Sequence, residues 1–174
     1  MIFVPLPIPG AYLIEAERID DERGWFARTW CAQEFAHHGL KDRFVQSSIS
    51  HNSHRGTLRG MHYQDWPFPE AKLVQCTCGA IFDVLVDLRE NSDTYRKWHG
   101  ERLSADNRRM LYIPEHCAHG FLTLENDTEV QYNMTEFHHP ECARILAWND
   151  PEVGIDWPFS PTIMSVRDRD AGPR

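Results

Sequence analysis

Apolar residues in this chain recur mainly at every second position in short runs, the pattern of strands with one buried face. Residues 57–64, TLRGMHYQ, and residues 70–74, EAKLV, read as two such strands. An opening strand is expected over residues 11–17, and another over 25–30 after the turn DDERG at 20–24. Residues 44–50 predict a strand that runs into the polar loop HNSHRG. IFDVLVDL, residues 81–88, is nearly continuous apolar, as in a strand buried on both faces. Shorter strands are expected over 97–103, 109–113, 118–124, 129–135 and 143–148, with Asn, Asp, Pro and Gly between them. Residues 32–38 suit a helix, with Phe35 toward a core and Gly39 as its C-cap. The pattern predicts an all-β fold, a sandwich or jelly roll with one short helix and ligand sites between its sheets. No repeat, low-complexity tract or linker divides the sequence, so residues 1–174 are expected to form one domain.

Several polar residues interrupt these strands where Val or Thr would be ordinary. Arg59, His62 and Lys72 do so in the central pair. A histidine can move a proton near neutral pH, and a cation beside it can hold an oxyanion. On a flat strand Arg59 and His62 would face opposite ways, and Gly60 between them is a natural place for a bulge that brings them together. Asp83 lies inside the most apolar strand and is expected to pair with a buried cation, because an unpaired buried charge is costly. His119 precedes Gly120 as a strand begins, Tyr132 sits mid-strand, and SVRD at 165–168 puts an acid and a base near the C-terminus.

Composition narrows the function. A hydrophobic content of 41% argues against disorder, and a net charge of −8 argues against a broad nucleic-acid surface. A phosphorylated small molecule is still allowed, since two or three local cations suffice. No run approaches the ~20 apolar residues of a membrane span, and MIFVP has no basic leader, so neither a span nor a signal peptide is expected. Five cysteines without CxxC spacing fit reduced thiols in a cytoplasm.

The pieces DERGWF, FVQ, LRGMHYQ, AKLV, FDVLVDLR, LSADNRRMLYIPE, AHGFLTL, WNDP and SVRD occur in order from Asp21 to Asp168. Together they resemble the dTDP-4-dehydrorhamnose 3,5-epimerases, of the cupin-like jelly-roll (double-stranded β-helix) fold. That resemblance implies a nucleoside-diphosphate 4-keto-6-deoxysugar substrate, in deoxysugar and lipopolysaccharide or other surface-polysaccharide biosynthesis, with no cofactor. By match, His62 is the base and Asp168 its partner, although Asp170 could align instead. Lys72 steadies the enolate oxygen, and Tyr132 donates a proton from the opposite face. His119 and Arg59 line the site, with Asp83 orienting Lys72 or Arg59. Arg23, Phe26, Gln46, His138 and Arg167 fall where the family grips the nucleotide. The family is dimeric, and its N-terminal segment can complete the neighbour's site.

Three departures lie on the recognition side: Arg28 where a Glu is usual, Ser48 for an Asn, and Phe137-His138 for a tyrosine pair. They leave open a cytidine or guanosine sugar, an altered sugar, or unchanged thymidine recognition. Other readings are a 3,4-ketoisomerase or single-centre epimerase, a non-catalytic sugar-nucleotide binder, and a metal-dependent cupin. The last would use His62, Glu70 and His119, but Gln64 stands where its second histidine belongs. The metal-free reading expects a rate indifferent to chelators.

Overall fold

The computed structural model describes residues 1–172. The chain begins with β1 (Ile2–Pro5) and β2 (Tyr12–Glu15), then a hairpin of β3 (Arg18–Asp21) and β4 (Gly24–Ala27), then helix α1 (Ala32–His37). Next come β5 (Gln46–Asn52), β6 (Leu58–Gln64), β7 (Lys72–Cys78) and β8 (Ala80–Asp87). β9 (Trp98–Ser104), β10 (Arg109–Ile113), β11 (Cys117–Thr123), β12 (Thr128–Met134) and β13 (Ala143–Ile145) follow, and α2 (Val166–Arg169) ends the order. Two sheets face each other, β1-β2-β10-β7-β12-β5 and β13-β6-β11-β8-β9, with all ladder pairings antiparallel. This is the expected jelly roll.

The alternation explains the layers. Ile81 and Leu85 of β8 point between the sheets, where they meet Val74, Leu111, Phe121 and Val130. Val84 and Val86 of the same strand point outward and are covered by Leu146, Val153 and Trp157. That second cover is why residues 81–88 read as continuously apolar. On the far side of the larger sheet, Phe35 of α1 is fully buried against Ile14, Leu73 and Met110. Among the described residues no helix is long and apolar enough to cross a membrane.

Some expectations need correction. There is a second short helix, α2, because Ser165 caps it by accepting a hydrogen bond from the Asp168 amide at 3.1 Å. β1 and β3 had no alternating signature: prolines crowd the first, and RIDD in the second is exposed throughout. The strand expected over 25–30 is β4, paired with β3 as a separate hairpin.

Candidate active site

A cavity of about 380 Å³ opens between the two sheets. Its walls follow from strand alternation: Arg59 and His62 from β6 and His119 and Phe121 from β11 form one side. Lys72 from β7, Tyr132 and Met134 from β12, and Gln46, Ser48 and Ser50 from β5 form the other, and Glu70 and His138 also line the cavity.

Gly60 is what puts Arg59 and His62 on the same wall. Arg59 lies opposite Phe121 and His62 opposite His119, so β6 carries one residue more than β11 between these pairs, as the expected bulge requires. Gly60 has φ +147°, and a Cβ there would come within 2.5 Å of Gly120 Cα. Two glycines meeting back to back let β6 and β11 approach at the bulge.

His62 Nε2 lies 2.7 Å from Asp168 Oδ1, which resolves the choice between Asp168 and Asp170 in favour of the former as the ring's neighbour. Burial works against the ionised Asp168, but the hydrogen bond and charge of His62, with Ser165 and the Gly60 amide, outweigh it and lower its pKa. Lys72 is buried, with Nζ 3.0 Å from Glu70 Oε1 and 3.4 Å from the His62 carbonyl oxygen. Arg59 donates from Nε to Asn52 Oδ1 at 2.8 Å.

Asp83 does not orient Lys72 or Arg59. Its Oδ1 lies 2.7 Å from His119 Nε2, and both side chains are buried. β8 and β11 are neighbouring strands, so their inward residues reach each other, whereas Lys72 projects from the opposite sheet. Burial raises the Asp83 pKa, against the charge and hydrogen bond of His119 and the charge of Lys72. The partner expected to be a cation is thus a histidine.

The Tyr132 hydroxyl lies 2.7 Å from Ser50 Oγ. Burial pushes its pKa up to about 12, although Ser50 and the charge of Arg59 pull the other way. Gln46 lines the cavity while its Oε1 accepts from the His138 amide at 2.7 Å. Arg23 and Phe26 do not join the cavity; both are exposed, Arg23 on the turn and Phe26 in β4 of the β3–β4 hairpin, which forms its own two-stranded sheet. Arg167 is exposed on α2 beside Asp168 and likewise does not line it. Ser50, Met134 and Phe121 line the cavity without having been singled out, although the alternation of Gln46, Ser48 and Ser50 along β5 could have found the first.

The positions a cupin metal site would use have partners of their own: His62 pairs with Asp168, Glu70 with Lys72 and His119 with Asp83. Gln64 donates to the Phe68 and Phe137 carbonyls at 2.6 and 3.0 Å, tying loops together. Among the described residues no group of three or more His, Cys, Asp or Glu is arranged to hold a metal ion. What the cavity can do is take a proton on one wall and give one from the other.

Comparison with known proteins agrees with this geometry. The sequence model of the family described as dTDP-4-dehydrorhamnose 3,5-epimerase matches residues 5–173. A dTDP-4-dehydrorhamnose 3,5-epimerase of Methanothermobacter thermautotrophicus is 48% identical over 174 residues, covering 98% of this chain and 93% of that protein. The crystal structure of dTDP-4-dehydrorhamnose 3,5-epimerase from Elizabethkingia anophelis matches with TM-score 0.96 and 38% identity over 99% of this chain and 96% of that one. A dTDP-6-deoxy-D-glucose-3,5-epimerase of Legionella pneumophila, in complex with dTDP-4-keto-L-rhamnose, matches with TM-score 0.91 and 36% identity over 98% and 90%.

Proposed function

Because the chain belongs to the dTDP-4-dehydrorhamnose 3,5-epimerase family, we propose that it is an isomerase inverting C3 and C5 of dTDP-4-keto-6-deoxyglucose in dTDP-rhamnose biosynthesis. The protons at C3 and C5 are acidic because each neighbours the C4 ketone. His62 takes one, and the Asp168 carboxylate 2.7 Å away balances the charge that forms on the ring. Lys72 steadies the enolate oxygen. Tyr132, on the opposite wall, delivers a proton to the other face of the sugar; a phenol pushed up to about 12 by burial stays protonated for that task. The observation that carries the reading is the His62–Asp168 pair facing Tyr132 across one cavity, since inversion needs base and acid on opposite faces.

The whole chain serves as one catalytic unit, in the cytoplasm and as a homodimer. The exposed hairpin carrying Arg23 and Phe26 completes the partner's nucleotide site, which accounts for its distance from its own cavity. Of the three recognition departures, Ser48 and His138 line the cavity, whereas Arg28 is held by Glu34 at 3.3 Å outside it. Thymidine recognition is supported by the Legionella pneumophila relative, whose structure holds dTDP-4-keto-L-rhamnose, and rates on thymidine, cytidine and guanosine 4-keto-6-deoxysugars test that choice. The reaction itself is tested with His62→Ala in heavy water. Deuterium entry at C3 and C5 should cease while dTDP still binds, and exchange at the wild-type rate would refute the base assignment.

A further inference from the structure

We propose that Ser50 is a positioning residue for Tyr132, holding the phenol toward the sugar and returning its proton between turnovers. The inference rests on Tyr132 being the acid of the proposed reaction. Ser50 Oγ and the Tyr132 hydroxyl are 2.7 Å apart, and both residues line the cavity. They come from adjacent strands, β5 and β12, with Ser48 directly opposite Tyr132 and Ser50 opposite Val130. Ser50 thus reaches the phenol diagonally across the pair. β5 is an edge strand, Ser50 is half-buried, and Ser48 two residues along the same face is exposed. The Ser50 hydroxyl therefore stands beside the partly buried phenol on a strand whose outer side meets water.

Once Tyr132 has given its proton to carbon, a phenolate is left in a site that disfavours the charge. A serine hydroxyl both donates and accepts, so it can pass its own proton to the phenolate oxygen while taking one from water. The proton that His62 removed from the sugar returns to solvent, so each inversion leaves proton number unchanged. The aliphatic residues around Tyr132, such as Val130, have no group for this role.

Ser50→Ala, Ser50→Thr, Tyr132→Phe and the Ser50→Ala/Tyr132→Phe pair test this, followed by deuterium entry and product formation in heavy water. Losing one hydrogen bond to the acid should lower kcat for inversion about tenfold, with KM unchanged within about twofold. Deuterium entry, which needs only His62, should continue at the wild-type rate. Threonine keeps the hydroxyl and should restore inversion. In the Tyr132→Phe background, Ser50→Ala should cost nothing further. The proposal is overturned if Ser50→Ala matches wild type while Tyr132→Phe fails to invert. It is also overturned if exchange and inversion fall together, as for a damaged site, or if KM rises with kcat intact, as for a substrate contact. Normal inversion by Tyr132→Phe would instead remove the acid assignment on which both rest.

Discussion

Replacing Asp168 by Asn removes a charge and almost no volume, which isolates what the carboxylate does for His62. The two side chains touch at 2.7 Å, with Asp168 5% and His62 43% exposed. A hydrogen bond to a charged group is worth about 1.5–3 kcal/mol net, and the exposure of the ring places this one in the lower part of that range. At about 1.4 kcal/mol per factor of ten, deuterium entry at C3 and C5 should slow about ten- to thirtyfold. The asparagine carbonyl can still accept from the ring nitrogen, so the ring stays oriented and dTDP affinity, read by calorimetry, should hold. Asp170, the exposed C-cap of α2, provides the control. Asp170→Asn should exchange within about twofold of wild type, because an exposed surface substitution perturbs little. Wild-type exchange in Asp168→Asn, or an equal loss in Asp170→Asn, would refute the assignment of the charge to this pair.

Tyr132→Phe should still wash deuterium into the sugar but release little inverted product, a loss of about a hundredfold or more for a general acid, checked by separating the epimers. Asp87→Asn should lower stability at pH 7 by about 2 kcal/mol. The Asp87 carboxyl is held down at about 2, from 3.8, because donors from Arg89, Ser92 and Thr94 outweigh its burial. A depressed carboxyl contributes fully above its unfolded value and loses that contribution as pH falls through the folded one. The variant and wild type should therefore converge between about pH 4 and 2 in denaturant melts, and parallel curves would count against it. Gly60→Ala should cost about 2–4 kcal/mol, since a Cβ would meet Gly120 Cα at 2.5 Å on a φ of +147°. Exchange should fall with it as Arg59 and His62 lose their shared wall, and a melt unchanged from wild type would show that the backbone absorbs the methyl.

The sequence carried the architecture wherever local chemistry decides it. Alternation located β5 to β12, and the doubly apolar run at β8 announced cover on both faces, which Leu146 and Trp157 supply. Gly60 betrayed the bulge because few other residues suit that backbone. β1 and β3 escaped for the converse reason: their side chains are mostly exposed, so burial imposed no pattern on them. The short helix α2 owes its existence to one cap, a signal that SVRD carries only once a following turn is allowed for.

Pairs inside the site divide along the same line. Lys72 and Glu70 stand two residues apart where the chain enters β7, so this contact is written into the local sequence. The pairs that bear on proton transfer are separated by 106 residues for His62 and Asp168, 82 for Ser50 and Tyr132, and 36 for Asp83 and His119. Those depend on which strands become neighbours, and no periodicity encodes that. Family resemblance supplied the first pair and left Asp168 and Asp170 to be separated by geometry. It misled on the third, offering Lys72 or Arg59 where the neighbouring strand presents His119. It was silent on the second, because a serine in a strand looks like any solvated position until the phenol is seen beside it. An acid partly buried between two sheets needs its proton replaced from outside, and an edge strand has water at its side. Ser50 on β5 satisfies both requirements, so the feature least visible in the sequence is the one the mechanism most needs from the fold.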